Sequence, residues 1–410
     1  MQNRRQLLAS LSALPFGATA ALAQEASSFP VQPPVDQRVK TGDPMPAPKP
    51  GFYPYSGISG PGLPAEAYSE RGGWLSGSTG VKYAGPNPPP YRTSPWDGPE
   101  GAAVTNGLLP KLRPFLEVHV RDTVICLGGD GNYYMTGSTG DNIWAFNDGV
   151  ELWKSADLEH WEYLGLVWSL EKEGGWEKQW VSLHGLPSRA IWAPEIHFIR
   201  GNFYICLSMA PTGCSILKST TGKAEGPYVH AFSPDAPIVR QIDPTLFEDD
   251  DGSVYFTAGA AKRIVKLKND LSGFDGDWKD IEIEPVHDPD QHAEKCVGRG
   301  MNDLGHEGAV LFKANGLYYL GAADNPQGRY STMLAISESV FGPYRMRHES
   351  VPCGGGTGFF RDKTGAWWSA YFGNDDQSPF REKAAIVKIA FDKDGRVGVD
   401  RKFYGMPVNE

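Results

Sequence analysis

The sequence predicts an all-β fold, a five-bladed β-propeller behind an N-terminal Pro/Gly-rich extension, and three observations predict it. First, a glycine at a hairpin tip is followed five times by an aromatic strand: Gly131 before Tyr133 and Tyr134, Gly201 before Phe203 and Tyr204, Gly252 before Tyr255 and Phe256, Gly316 before Tyr318 and Tyr319, and Gly365 before Trp367 and Trp368. Glycine supplies the positive φ that tight hairpins require, and aromatic residues favour the half-buried pleated surface that follows. Second, the units recur at steps of about 50 to 70 residues, the period of stacked units that bury a face only against their neighbours. Third, 12% aromatic residues and 49 glycines among 410 suit many short strands joined by tight turns.

At the N-terminus, Arg4-Arg5 precedes a short apolar run through Leu11, Leu14 and Phe16 and a small-residue exit at Ala21-Leu22-Ala23. That is the three-part pattern of an export signal, and the paired arginines point to the twin-arginine route. Residues 1–24 are therefore expected to be a signal peptide, and the protein to be periplasmic or secreted in a bacterium. Residues 25–115 are rich in proline and glycine, with Val31-Gln-Pro-Pro34 and Asn87-Pro-Pro-Pro90, yet carry Phe52, Tyr53, Tyr55, Trp74, Tyr83, Tyr91 and Trp96. Proline cannot donate to a strand ladder, so regular sheet is excluded, while the aromatic content argues for order. The expectation is a coil packed along the propeller or against a second subunit, a route to a homo-oligomer.

Residues 116–410 read as the propeller, each blade in the order inner strand, turn, aromatic strand, third strand, turn, outer strand. Blade one runs from His119 through Gly131 to Leu152-Trp-Lys-Ser155 and Trp161; blade two runs from Ala190 through Gly201 to Leu217-Lys-Ser219 and Gly226-Pro-Tyr228. Blade three holds Asp243-Pro-Thr245, the turn Asp249-Asp-Asp-Gly252 and Ile264-Val-Lys-Leu267; blade four holds Glu307-Gly-Ala309, Gly316, Ala335-Ile-Ser337 and Gly342-Pro-Tyr344. Blade five begins near Gly356 and ends with Ile386-Val-Lys-Ile-Ala-Phe391.

The formal net charge of -10 offers no basic footprint for nucleic acid. Cys126, Cys206, Cys214, Cys296 and Cys353 are odd in number, scattered and without a CxxC, so no disulfide framework is expected.

Three carboxylates, Asp122, Asp243 and Glu307, stand at the start of the first strand of blades one, three and four. Inner strands of a propeller surround its axis, so side chains at their starts converge on one mouth. Glycoside hydrolysis needs such a set: one carboxyl still protonated to serve the leaving oxygen and one ionised to activate water or attack carbon, their pKa values separated by environment.

These residues also carry a family resemblance. Arg121-Asp-Thr with Asp130-Gly-Asn-Tyr-Tyr134, Leu152-Trp-Lys-Ser with Asp157-Leu and Trp161, Ile191-Trp-Ala-Pro-Glu195, Ile242-Asp-Pro-Thr with Asp249-Asp-Asp-Gly, and His306-Glu-Gly-Ala with Tyr318-Tyr-Leu resemble glycoside hydrolase family 43 over residues 118 to 400. The resemblance implies a five-bladed propeller acting as an inverting glycosidase on arabinofuranosides or xylosides. It implies Asp122 as general base, Asp243 as the residue that tunes the acid, and Glu307 as general acid. Two departures leave the reacting groups in place: Thr123 and Ala309 stand where the family usually has proline. A third falls in blade five, where many members place a histidine that helps hold a metal or water cluster on the axis. Here the stretch reads Gly354-Gly-Gly-Thr357-Gly-Phe-Phe360, so a structural calcium is doubtful and no cofactor is expected to be required.

Trp192, at an inner-strand start, reads either as a stacking wall for a sugar ring or as a core tryptophan between blades. His306 reads as a partner of the sugar or of Glu307, or as a structural histidine. Arg299, flanked by glycines in Val297-Gly-Arg-Gly300, reads as a solvated loop charge or as a fork for an anionic sugar. Glu195 and His197 share one strand face but lack a third ligand for a metal. Two other functions remain open: an anhydrogalactosidase-like propeller hydrolase acting on algal oligosaccharides, as in glycoside hydrolase family 117, and a carbohydrate-binding propeller without catalysis. A retaining, invertase-like propeller is disfavoured, because its Asn-Asp-Pro and Glu-Cys signatures are missing.

Overall fold

The computed structural model describes residues 107–108, 111–116, 120–139, 147–183, 186–209, 213–284, 304–324, 330–373 and 382–408. The predicted signal peptide and most of the extension lie outside the described residues. Within them the chain forms five four-stranded antiparallel sheets, each a simple meander in sequence order.

Blade one comprises Arg121–Leu127 (β1), Tyr133–Ser138 (β2), Gly149–Ser155 (β3) and Trp161–Ser169 (β4). A short helix, Leu170–Glu173 (α1), and a hairpin of Val181–Leu183 (β5) and Leu186–Ser188 (β6) lead to blade two. That blade holds Ile191–Ile199 (β7), Asn202–Met209 (β8), Gly213–Ser219 (β9) and Tyr228–His230 (β10). Blade three holds Thr245–Glu248 (β11), Val254–Thr257 (β12), Arg263–Lys266 (β13) and Lys279–Asp280 (β14). Blade four holds Glu307–Ala314 (β15), Leu317–Asp324 (β16), Ser331–Ser337 (β17) and Arg345–Glu349 (β18). Blade five holds Phe359–Arg361 (β19), Trp367–Tyr371 (β20), Ala385–Phe391 (β21) and Val397–Val399 (β22).

The five hairpin glycines behave as their sequence context requires. Gly131, Gly201, Gly252, Gly316 and Gly365 have φ of +77°, +76°, +78°, +78° and +84°, and each turns an inner strand into the aromatic strand beside it. The acidic run after Phe247 is such a turn: the Gly252 N–H donates to Asp249 O at 2.8 Å. The Asp249 carboxylate receives Lys313 Nζ at 2.8 Å and the Tyr318 hydroxyl at 2.6 Å from blade four, which holds it below the usual carboxylate range despite partial burial.

Both faces of each blade are apolar, and the core divides accordingly into one layer per pair of neighbours. Tyr134, Leu152 and Trp168 of blade one meet Ile205 and Leu217 of blade two, while Cys206 and Ile216 meet Leu246, Phe256 and Val265 of blade three. Tyr255 and Ile264 meet Leu311, Leu320 and Met333 of blade four, and Phe312 stacks on Tyr319 and on Phe359 of blade five, both at 4.8 Å. Met135, Tyr133 and Trp153 close the circle on Phe360 and Ala370.

Among the described residues, no strand is shared across that last seam. Instead the segment entering β1 runs along blade five, with Phe115 N–H donating to Ala384 O and Val120 N–H to Glu382 O, both at 2.9 Å. Leu108 and Leu112, from the end of the extension, are buried with Met406 in the layer between blades four and five. The aromatic residues on which the expectation for the extension rests, Phe52 to Trp96, lie outside the described residues. Among the described residues, Cys126, Cys206, Cys214 and Cys353 are free thiols, and no helix is long and apolar enough to cross a membrane.

Candidate active site

The five inner strands share one device at their starts. Asp122, Ala193 and Asp243 have φ of +51°, +43° and +51°, and Gly308 and Gly356, in the matching places of blades four and five, have +68° and +69°. In β1, β7 and β15 the pairing register slips across this residue. The slip is a bulge that re-aims side chains at the end of a strand. A left-handed conformation costs a non-glycine residue about 1–2 kcal/mol, so Asp122, Ala193 and Asp243 must be held in place by their surroundings.

Hydrogen bonds between blades do the holding. Ser138 Oγ, at the end of β2, donates to Asp122 Oδ2 at 2.7 Å and accepts the Ala193 N–H at 2.8 Å. Ser208, in the same place of β8, donates to Trp192 O at 3.0 Å and accepts the Asp243 N–H at 3.4 Å. Asp243 Oδ2 accepts the Gly308 N–H at 2.8 Å. The Gly355 N–H donates to Tyr330 O at 2.9 Å, and the Gly358 N–H to Thr123 O at 3.4 Å. The mouth of the axis is thus stitched from each blade to the next.

Asp122, Asp243 and Glu307 line a single narrow cleft at this mouth, open to solvent, with Trp192, Glu195, Tyr330, Gly356 and Thr357 among its walls. The expectation that all three acids occupy one equivalent position needs a correction. Asp122 and Asp243 stand at the left-handed residue, whereas Glu307 precedes it, and Gly308 is their counterpart. The longer glutamate side chain reaches the cleft from one residue further back.

Glu307 is buried and accepts the Tyr330 hydroxyl on Oε1 at 2.7 Å. A Cβ at Gly356 would lie 3.2 Å from that hydroxyl and 3.3 Å from Asp122 Oδ1. Taken together these contacts hold Asp122 Oδ1 and Glu307 Oε1 no more than about 9 Å apart, below the upper limit at which a carboxyl pair can share a water. Behind Asp122, the fully buried Arg121 pairs with Glu382 at 3.0 Å, lies 4.0 Å from Asp122 Oδ1 and rests 5.1 Å from the centre of the Phe372 ring. The lining therefore offers two carboxyl groups on separate blades, with Asp243 tied to the amide that follows Glu307. Such a pair can deliver a proton at one end of a bond and activate water at the other.

Trp192 is both buried and part of the cleft wall, so the two readings of that residue meet in one side chain. His306 lies behind Glu307: its Nε2 is 3.7 Å from Glu307 Oε1 and its Nδ1 is 3.7 Å from Asp324 Oδ1, while Asp324 also pairs with Arg347 at 2.7 Å. That places it beside the carboxyl rather than on the cleft wall. Arg299 lies outside the described residues. Thr357 lines the cleft and donates Oγ1 to Gly354 O at 3.1 Å, and with no imidazole in that stretch the residues of blade five do not fit a histidine-held ion on the axis.

Sequence reasoning missed Ser138, Ser208, Tyr330, Arg121 and Glu382. A signal existed for the serines, which stand at matching places near the ends of the second strands. Tyr330 carried none, being joined to Glu307 only by folding.

The profile described as Glycosyl hydrolases family 43 matches residues 112–397, all five blades. The chain belongs to glycoside hydrolase family 43. Among family 43 relatives and similar proteins, a xylosidase/arabinosidase of Butyrivibrio fibrisolvens is 29% identical over 56% of this chain and 41% of its own. An extracellular exo-α-(1→5)-L-arabinofuranosidase of Cellvibrio japonicus is 25% identical over 56% of this chain and 67% of its own. The chain spans about half the length of the curated relatives it matches. Among solved structures, the β-xylosidase RS223 superposes with a TM-score of 0.53 at 16% identity, covering 70% of this chain and 99% of its own. An α-L-arabinofuranosidase of Clostridium thermocellum superposes with 0.51 at 19% identity, covering 67% and 91%. At these identities the structures share the propeller fold with this family 43 chain.

Proposed function

We propose that this protein is an exo-acting, inverting glycoside hydrolase that removes arabinofuranosyl or xylosyl units from oligosaccharides derived from plant or algal polysaccharides. Glu307 is the general acid, Asp122 the general base, and Asp243 the group that holds and tunes the acid through the Gly308 amide. The observation that carries the reading is that Asp122 and Glu307 stand on separate blades across one cleft, no more than about 9 Å apart. Asp122 draws the proton from a water on one face of the sugar as Glu307 gives its proton to the departing oxygen. One displacement results, with inversion at the anomeric carbon. Trp192 offers an apolar wall to the ring. The sugar class follows the xylosidase and arabinofuranosidase names of the relatives. The reaction as written needs no cofactor, and the Arg4-Arg5 signal sends the protein to the periplasm or beyond.

The test uses Glu307→Gln on a glycoside with a poor leaving group, followed by NMR of the first sugar released. Activity should fall by about two to four orders of magnitude, the usual worth of a positioned acid. The wild-type product should first appear with its anomeric configuration inverted. Undiminished hydrolysis by the variant, or a retained configuration, overturns the assignment.

A further inference from the structure

Glu195 and His197 share one face of β7, and the fold supplies what their spacing lacked. Cys206 sits directly across from Glu195 on β8 and turns its sulfur toward both. His197 Nε2 lies 3.0 Å from Glu195 Oε2 and 3.5 Å from Cys206 Sγ, and the sulfur lies 4.0 Å from the carboxylate oxygen. With metal bonds of about 2.0–2.1 Å to nitrogen or oxygen and 2.3 Å to sulfur, the edges of a tetrahedral zinc site are about 3.3 to 3.6 Å. Each observed separation falls within about 0.5 Å of that range. The three ligand atoms already describe one face of the polyhedron, and a strand pair rather than a loop holds them there.

The setting suits an ion. Cys206 is fully buried, whereas the Glu195 and His197 side chains are 12% and 18% exposed, and Glu195 also lines the cleft. The cleft is therefore both the entry path and the source of a fourth, solvent ligand. A set of thiolate, imidazole and carboxylate selects a borderline-soft ion such as Zn²⁺ or Co²⁺ and disfavours Ca²⁺ and Mg²⁺, which take oxygen shells. The two anionic ligands would balance the charge of a divalent ion in this partly buried place.

The geometry points to a zinc-type binding site made of Glu195, His197 and Cys206 at the seam of blades two and three. It is separate from the acid and base, and from any ion on the axis at blade five. As a thiol, Cys206 donates Sγ–H to Pro244 O at 3.0 Å, one residue beyond Asp243. Ligation would give up that S–H bond to blade three, and the ion would instead clamp β7 to β8 and fix Glu195 beside the cleft. Its role is to stiffen this face of blade two; the hydrolytic steps proposed above do not pass through it.

The test uses untagged protein stripped of metal and titrated with Co²⁺, then Zn²⁺. The wild type should take up one equivalent of Co²⁺ with a near-ultraviolet thiolate-to-cobalt charge-transfer band, which one equivalent of Zn²⁺ abolishes. Zn²⁺ at a hundredfold excess over its dissociation constant should lower the unfolding equilibrium constant about a hundredfold, seen as a higher thermal midpoint. Cys206→Ser should lose the band, and His197→Gln should weaken Co²⁺ binding at least tenfold with the circular dichroism spectrum preserved. If the serine variant does not fold, the His197→Gln titration decides. A wild type without the band, a band that survives both substitutions, or a midpoint raised equally by Ca²⁺ overturns the site. None of these readouts depends on the proposed hydrolase activity.

Discussion

Gly356→Ala isolates the geometry of the mouth from the general cost of a left-handed residue. At φ +69° an alanine is strained by about 1–2 kcal/mol. Its Cβ would lie 3.2 Å from the Tyr330 hydroxyl, 3.3 Å from Asp122 Oδ1 and 3.4 Å from Tyr330 Cε1, all closer than the 3.5–4.0 Å of ordinary contact. Relief requires Asp122 or Tyr330 to move by a few tenths of an ångström, and these are the proposed base and the partner of the proposed acid. Since a 1 Å misplacement costs about a hundredfold, a fall in kcat of roughly tenfold is expected. Gly131→Ala is the control: its φ is +77°, so it bears similar strain, but nothing lies within 4 Å of the new methyl. Both variants should lose about 1–2 kcal/mol of stability by denaturant unfolding, yet only Gly356→Ala should lose kcat on an aryl arabinofuranoside or xyloside. Equal kcat in the two variants refutes the argument that Gly356 keeps space for the carboxyl pair.

Tyr330→Phe removes the hydroxyl that stabilises the carboxylate Glu307 becomes as it gives up its proton, and since hydrogen bonds to charged groups are worth about 1.5–3 kcal/mol it should lower kcat about tenfold or more while KM changes little. A rise in KM at constant kcat would instead assign Tyr330 to substrate binding. His348 is a stability probe remote from the cleft: buried, it is lowered to about 4, with Nδ1 donating to Met346 O at 2.7 Å and Nε2 accepting the Val397 N–H at 2.9 Å. The unfolded chain then binds a proton near pH 6.5 that the folded chain refuses until about pH 4, so stability falls as pH drops through that window, by about 3 kcal/mol in all. Denaturant unfolding at pH 7 and pH 4 should show His348→Gln losing less than the wild type by about that amount; equal losses would mean that the imidazole does not carry the effect.

The parts of the fold that local chemistry dictates were visible in the residues alone. A glycine before two aromatics specifies a hairpin wherever it occurs, so Gly131, Gly201, Gly252, Gly316 and Gly365 could be counted without knowing what packs on what. The three carboxylates were legible for the same reason, as they recur near strand starts. What escaped depends on register or on distant partners. The bulge at Gly308 sets Glu307 one residue behind its supposed equivalents, a shift that no spacing reveals because blade lengths vary. Arg121 and Glu382 are 261 residues apart in the chain, and Tyr330 and Glu307 are 23 apart across a hairpin. Cys206 looked like one more apolar position in a buried strand until pairing set it opposite Glu195.

The left-handed residues at the blade mouths separate shape from chemistry. Read around the axis they spell Asp122, Ala193, Asp243, Gly308 and Gly356, and the bonds that set this backbone use the amides of Ala193, Asp243 and Gly308. Ala193 is the informative letter, since it already bears a side chain in this conformation and faces the cleft. Exchanging its methyl for a carboxamide or an imidazole would rewrite what the cleft recognises without asking any strand to re-pair. Two of the five positions carry carboxylates of the proposed machinery and two leave little room for a Cβ, so Ala193 is the place in the ring where recognition can change apart from the chemistry.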